Sequence, residues 1–130
     1  MLRAGPSSPG PDGPGWHHGW VNNAQVPAVT VDGVPADARP LDVREADEWA
    51  AGRAPTARHL PMSELTNRLA EVPTDDPLYV ICRSGGRSAR VVAFLAEKGY
   101  PALNVDGGMQ AWAASGRPVE GDGPGPATII

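Results

Sequence analysis

The chain has one cysteine, one phenylalanine and two tyrosines in 130 residues, and no surplus of basic charge. A single thiol cannot form an internal disulfide, so the fold has to rest on a packed core, and nothing asks for an oxidising compartment. A reducing one, the cytoplasm, is the expected setting for a thiol that must stay free. The formal net charge of −4 lacks the clustered basic excess of a nucleic-acid binder, so no nucleic-acid partner is expected. No apolar run approaches the roughly 20 residues of a membrane span, and no N-terminal stretch resembles a signal h-region. Membrane attachment is not expected either, and a chain this short supports one domain with one core.

What the chain has in plenty is glycine and proline. They recur from Met1 to about Asn23 (Gly5, Pro6, Pro9, Gly10, Pro11, Gly13, Pro14, Gly15) with little to bury, which predicts a disordered tail over residues 1–23. That tail contains Trp16-His17-His18-Gly19-Trp20, a common ligand beside a common anchor, but two adjacent histidines with no cysteine or carboxylate cluster set up no metal geometry. Neither a metal nor an organic cofactor is expected. The domain proper spans 24–119, and glycine and proline return from Pro118 to Pro126, predicting a flexible end over 120–130.

Between these ends, short β-branched or apolar runs alternate with helical patterns. Ala28-Val29-Thr30-Val31, Pro40-Leu41-Asp42-Val43, Arg58-His59-Leu60, Leu78-Tyr79-Val80-Ile81 and Ala102-Leu103-Asn104-Val105 read as strands. Helices are expected over Arg44 to Gly52, over Pro61 to Ala70 with Met62, Leu65 and Leu69 on one face, over Arg87 to Lys98, and after Gly108 with Met109, Trp112 and Ala113 on one side. Five strands alternating with helices predict an α/β fold built on a parallel sheet. Trp49 reads as core, and His59 as a hydrogen-bonded structural residue rather than an acid or base.

The chemistry gathers around Cys82. Leu78 to Ile81 has the unbroken apolar character of a strand buried on both faces, and ligand sites in open α/β sheets form outside the carboxyl ends of such strands. Gly85-Gly86 lets the next backbone turn tightly and aim successive N–H groups inward, a concavity that continues into a helix N-terminus. Arg83 and Arg87 add two charges that stay protonated at neutral pH, and both features favour thiolate over thiol. A free cysteine more often packs as a small hydrophobe. The cationic, glycine-rich surroundings weigh toward a nucleophile here. Asp42 and Arg44, at the end of the neighbouring strand, read equally as supports for this loop or as a structural ion pair.

Cys82-Arg83-Ser84-Gly85-Gly86-Arg87-Ser88 resembles the active-site loop of rhodanese-type sulfurtransferases. Leu41-Asp42-Val43-Arg44 upstream and Asn104-Val105-Asp106-Gly107-Gly108-Met109-Gln110-Ala111-Trp112 downstream are similar to the family's other two signatures, in order and spacing. The likeness runs from about Ala28 to Val119. It implies a rhodanese-like fold, a central parallel five-stranded sheet flanked by helices on both faces. It also implies a persulfide on Cys82, held by the amides of a loop made of Arg83, Ser84, Gly85, Gly86, Arg87 and Ser88. The match weakens at Gly52-Arg53-Ala54-Pro55-Thr56-Ala57, where Arg53 replaces the usual histidine and Thr56 the usual glycine.

On this reading the protein is a thiosulfate sulfurtransferase. Its partners are a small-molecule sulfane-sulfur donor, such as thiosulfate or a persulfide, and a thiophilic acceptor, whether cyanide, a cellular thiol or a sulfur-accepting protein. With no second cysteine, the acceptor must come from outside. Two alternatives compete: a cysteine phosphatase or arsenate reductase, and a low-turnover sulfur-relay or binding module. Phosphatase loops resemble Cys, five residues, Arg. Here that place is Ser88, and the arginine falls one position early at Arg87.

Overall fold

Leu78–Ile81 forms the central strand of the computed structural model, which describes residues 26–130. The tail over 1–23 and its Trp16-His17-His18-Gly19-Trp20 segment lie outside the described residues. Five strands, β1 (Ala28–Val29), β2 (Leu41–Asp42), β3 (Arg58–His59), β4 (Leu78–Ile81) and β5 (Ala102–Val105), make one sheet in the order β1-β5-β4-β2-β3, and every pairing is parallel. Three α-helices connect them: α1 (Ala46–Ala51), α2 (Gly86–Glu97) and α3 (Gly108–Ala114). The fold is α/β on a parallel five-stranded sheet, as expected.

The two-residue period of β4 explains its central place. Leu78, Val80 and Cys82 join one core cluster with Val91, Val92 and Leu95 of α2, while Ile81 joins a second with Val105, Met109 and Trp112 on the side of α3. Each buried leucine or isoleucine contributes about 1.5–3 kcal/mol, so both faces hold this strand in place. Among the described residues, no helix is long and apolar enough to cross a membrane.

Several local expectations are corrected. The helix expected over Pro61 to Ala70 is two 3-10 pieces, Met62–Glu64 and Thr66–Glu71, with a break at Arg68 (φ −124°, ψ 30°). Met62 and Leu65 share a face in a 3-10 helix as well as in an α-helix, and only Leu65 of the expected stripe is fully buried, so little enforces the 3.6-residue period. Trp49 is half-buried, and Ala113 faces solvent.

The segment over 120–130, expected as a flexible end, makes main-chain hydrogen bonds to α1 and the residues after it. Arg53 and Glu120 exchange backbone hydrogen bonds at 2.8 and 2.9 Å, the Asp122 amide donates to Ala50 O at 2.9 Å, and the Thr128 amide donates to Ala51 O at 2.9 Å. These bonds satisfy carbonyls at the end of α1 that the helix itself leaves open. Proline and glycine made the segment look unanchored because its partners are main-chain groups, which leave no mark on composition.

Candidate active site

Beyond Ile81 the chain leaves the sheet as a tight loop whose shape is set by one glycine. Gly85 caps α2 in the left-handed region (φ 109°, ψ −11°), where other residues are strained. Gly86 begins the helix and needs no such freedom. The turn brings three donors onto one sulfur: Cys82 Sγ accepts from the Gly85 amide at 3.1 Å, the Ser88 amide at 3.3 Å and the Ser88 hydroxyl at 3.2 Å. The side chain is buried, at 1 % exposure. Burial alone pushes the Cys82 thiol up, but the Ser88 hydroxyl and the amides of Ser88, Gly85 and Ser84 outweigh it, and the thiol is held below its ordinary pKa.

The back of the loop is held by α3. Met109 N–H donates to Cys82 O at 2.8 Å and Gln110 N–H to Arg83 O at 3.0 Å. So close an approach requires Gly108, where a Cβ would lie 2.4 Å from Cys82 O, in a left-handed conformation of φ +55°. The second glycine pair thus lets one backbone pass against the other.

The two loop arginines part company. Arg83 is exposed. Arg87 is half-buried and clasps Glu48 of α1 through two parallel hydrogen bonds of 2.7 and 2.8 Å. The Arg87 hydrogen bonds lower the pKa of Glu48, and Glu48 in turn raises that of Arg87. Of the two arginine charges expected beside the thiol, that of Arg87 is therefore paired with a carboxylate.

Asp42 and Arg44 form an ion pair with both side chains at 0 % exposure, joined at 2.8 Å between Arg44 Nη2 and Asp42 Oδ2. Arg44 also donates to Glu48 O at 3.3 Å and Gly52 O at 2.6 Å. The structural role is present: the pair fastens the end of β2 to α1, the helix that carries Glu48, while the β2 backbone pairs with β4 at Ile81, next to Cys82. His59 Nε2 lies 2.7 Å from Arg44 O and its ring stacks on Trp49 at 4.6 Å, the structural role expected of it.

The departures at Arg53 and Thr56 have local partners as well. Arg53 covers the Trp49 ring at 4.8 Å and pairs with Asp122 at 2.8 Å, and Thr56 Oγ1 donates to Ala38 O at 2.6 Å. None of these contacts involves the Cys82 loop.

Two residues of the site escaped the sequence reading. Glu48 lies 39 positions from Arg87, and the acidic start of α1 accounted for it as a helix-terminus charge. Asn104 sits in β5 at 0 % exposure, within hydrogen-bond reach of Ser88, Gly85 O and Asp106. A fully buried asparagine inside a strand was the available signal, because such a group must find partners.

Fold and site together define a parallel α/β domain that presents one amide-cradled cysteine at the carboxyl end of its central strand. The model of the rhodanese-like domain matches residues 31–115, and the chain belongs to that family. It is 42 % identical over 73 residues to a sulfurtransferase of Allochromatium vinosum, covering 55 % of this chain and 68 % of that one. A putative sulfurtransferase of Bacillus subtilis is 40 % identical over 74 residues, covering 57 % and 72 % of the two chains. Among solved structures, a rhodanese-related protein from Thermoplasma volcanium superposes with a TM-score of 0.67 at 32 % identity, covering 72 % of this chain and 97 % of that one.

Proposed function

We propose that the protein is a sulfurtransferase that carries sulfane sulfur as a persulfide on Cys82, with the amides of Ser84, Gly85 and Ser88 as its cradle. The observation that carries this reading is the convergence of three donors on a buried Sγ whose pKa is lowered despite its burial. Such preorganised donors stabilise charge on sulfur without rearranging. In the loading step the Cys82 thiolate attacks the outer sulfur of the donor. A bond forms from Sγ to that sulfur, the donor's sulfur–sulfur bond breaks, and the electron pair leaves with the departing group, which is sulfite when the donor is thiosulfate. In the unloading step an outside thiolate or cyanide attacks the terminal sulfur, and Sγ takes back the electron pair.

Between donors, the pairing of Arg87 with Glu48 favours persulfides over thiosulfate. A small dianion would meet one exposed arginine, Arg83, rather than two. A relay that accepts sulfur from a low-molecular-weight or protein persulfide is the second reading this observation supports. For phosphatase chemistry the same observation counts against the rival, because its arginine is both one place early and already engaged.

Intact-mass measurement tests the proposal. Wild type incubated with thiosulfate or glutathione persulfide gains the mass of one sulfur, and Cys82→Ser gains none and loses thiosulfate:cyanide transfer. Absence of the gain with both donors overturns the reading.

A further inference from the structure

Ser88 has one hydroxyl proton and two places to put it. Its Oγ lies 3.2 Å from Cys82 Sγ and 2.5 Å from Asn104 Oδ1, with Cys82 at 1 % exposure and Ser88 and Asn104 at 0 %. The Asn104 amide has its orientation settled by its other end, since Nδ2 donates to Gly85 O and to Asp106 Oδ1, both at 3.2 Å. Oδ1 therefore faces Ser88, and an amide oxygen can only accept. The hydroxyl can satisfy the sulfur or the asparagine, not both.

The two demands change with the state of the sulfur. A bare thiolate is a charged acceptor and takes the Ser88 proton. A thiol, or a Sγ bonded to a second sulfur, is uncharged and accepts weakly. The buried Oδ1 of Asn104, otherwise without a donor among the described residues, then has the stronger claim.

We propose that Asn104 is a positioning residue acting through Ser88, drawing the hydroxyl proton away from Cys82 Sγ when that sulfur is protonated or loaded and yielding it when the sulfur is a bare thiolate. The loaded state in this statement rests on the sulfurtransferase reading; the other two do not. No covalent bond breaks, because the proton swings with rotation about the Cβ–Oγ bond. As the negative charge moves from Sγ to the terminal sulfur on loading, the donor it leaves behind is taken up by Asn104.

The charged and titratable groups around the loop are Arg83 and Arg87, Glu45 and Glu48 on the α1 side, the Asp42–Arg44 pair at the end of β2, His59 of β3 and Asp106 after β5. Arg83 is exposed, the other side chains bond elsewhere or to Asn104 Nδ2, and among the described residues none donates to or accepts from the Ser88 hydroxyl. The hydroxyl answers to Cys82 and Asn104.

The test is an ultraviolet titration of the Cys82 thiolate in sulfur-free protein, comparing wild type, Asn104→Leu, Ser88→Ala and the double variant. Removing the competitor in Asn104→Leu lowers the midpoint by about 0.5–1 unit, and removing the donor in Ser88→Ala raises it by about 1 unit. In the Ser88→Ala background the leucine substitution produces no downward shift, which subtracts any loosening of the loop through the lost Gly85 contact. Asn104→Ala, which removes the same oxygen without added volume, serves if the leucine variant does not fold. A midpoint that stays or rises in the single Asn104 variant, or that falls equally in both backgrounds, overturns the proposal. This titration uses no sulfur donor, so its failure is distinct from a failure of persulfide formation.

Discussion

Two helices in this protein begin the same way and put their N-termini to different use. Both α2 and α3 follow a left-handed glycine, Gly85 at φ 109° and Gly107 at φ 80°. The open amides at the start of α2 face a side-chain sulfur, whereas those at the start of α3 are taken by Cys82 O and Arg83 O. A helix N-terminus favours negative charge only where its donors remain uncommitted. The pair shows a division of labour: the second helix commits its donors to main-chain carbonyls, and in doing so keeps the loop in the shape that leaves the first helix's donors available.

Gly108→Ala strikes at that division directly and has the largest expected effect. The new Cβ would sit 2.4 Å from Cys82 O and 2.7 Å from Arg83 O, both backbone atoms that no rotamer change can move. With the left-handed backbone added, a loss of about 2–5 kcal/mol is expected in denaturant unfolding, together with a rise in the Cys82 titration midpoint as the loop is displaced. Unchanged values for both would mean that α3 does not brace the loop.

Glu48→Gln sharpens the charge side of the comparison. Glutamine keeps the oxygen shared by the Glu45 amide and Arg87 Nη1 but removes the carboxylate charge and the second acceptor that pair Arg87. At low ionic strength kcat/KM for thiosulfate should rise about two- to fivefold, and the gain should fade at about 0.5 M salt. A salt-independent change would point to geometry instead of charge. Smallest of all is Gly86→Ala, whose Cβ meets nothing within 4 Å. As the first residue of α2 it should gain about 0.5–1 kcal/mol, read as a slightly higher Tm. Placed beside Gly108→Ala, it separates a glycine required by its surroundings from one that merely starts a helix.

The sheet and the thiol loop were legible because their signals are local. An unbroken apolar run marked β4, and the cysteine, glycines and serine that follow it lie within seven positions. Long-range pairing left no such trace. Nothing in the acidic start of α1 says that Glu48 rather than Glu45 or Asp47 meets Arg87, or that Arg87 rather than Arg83 is the arginine it meets. The break at Arg68 was hidden for a related reason: apolar residues three and then four positions apart fit an α-helix as well as two short turns. Main-chain tethers such as those of Asp122 and Thr128 are invisible to any reading of side chains.

The near-complete enclosure of Cys82 Sγ has a consequence for where an acceptor can strike. A persulfide offers two electrophilic sulfurs: attack on the outer one passes cargo onward, while attack on the inner one expels hydrosulfide and leaves the protein trapped as a mixed disulfide. On the persulfide proposed for Cys82, walls around the inner atom would leave an incoming thiolate only the outer one, so that shape rather than intrinsic reactivity would select the productive route.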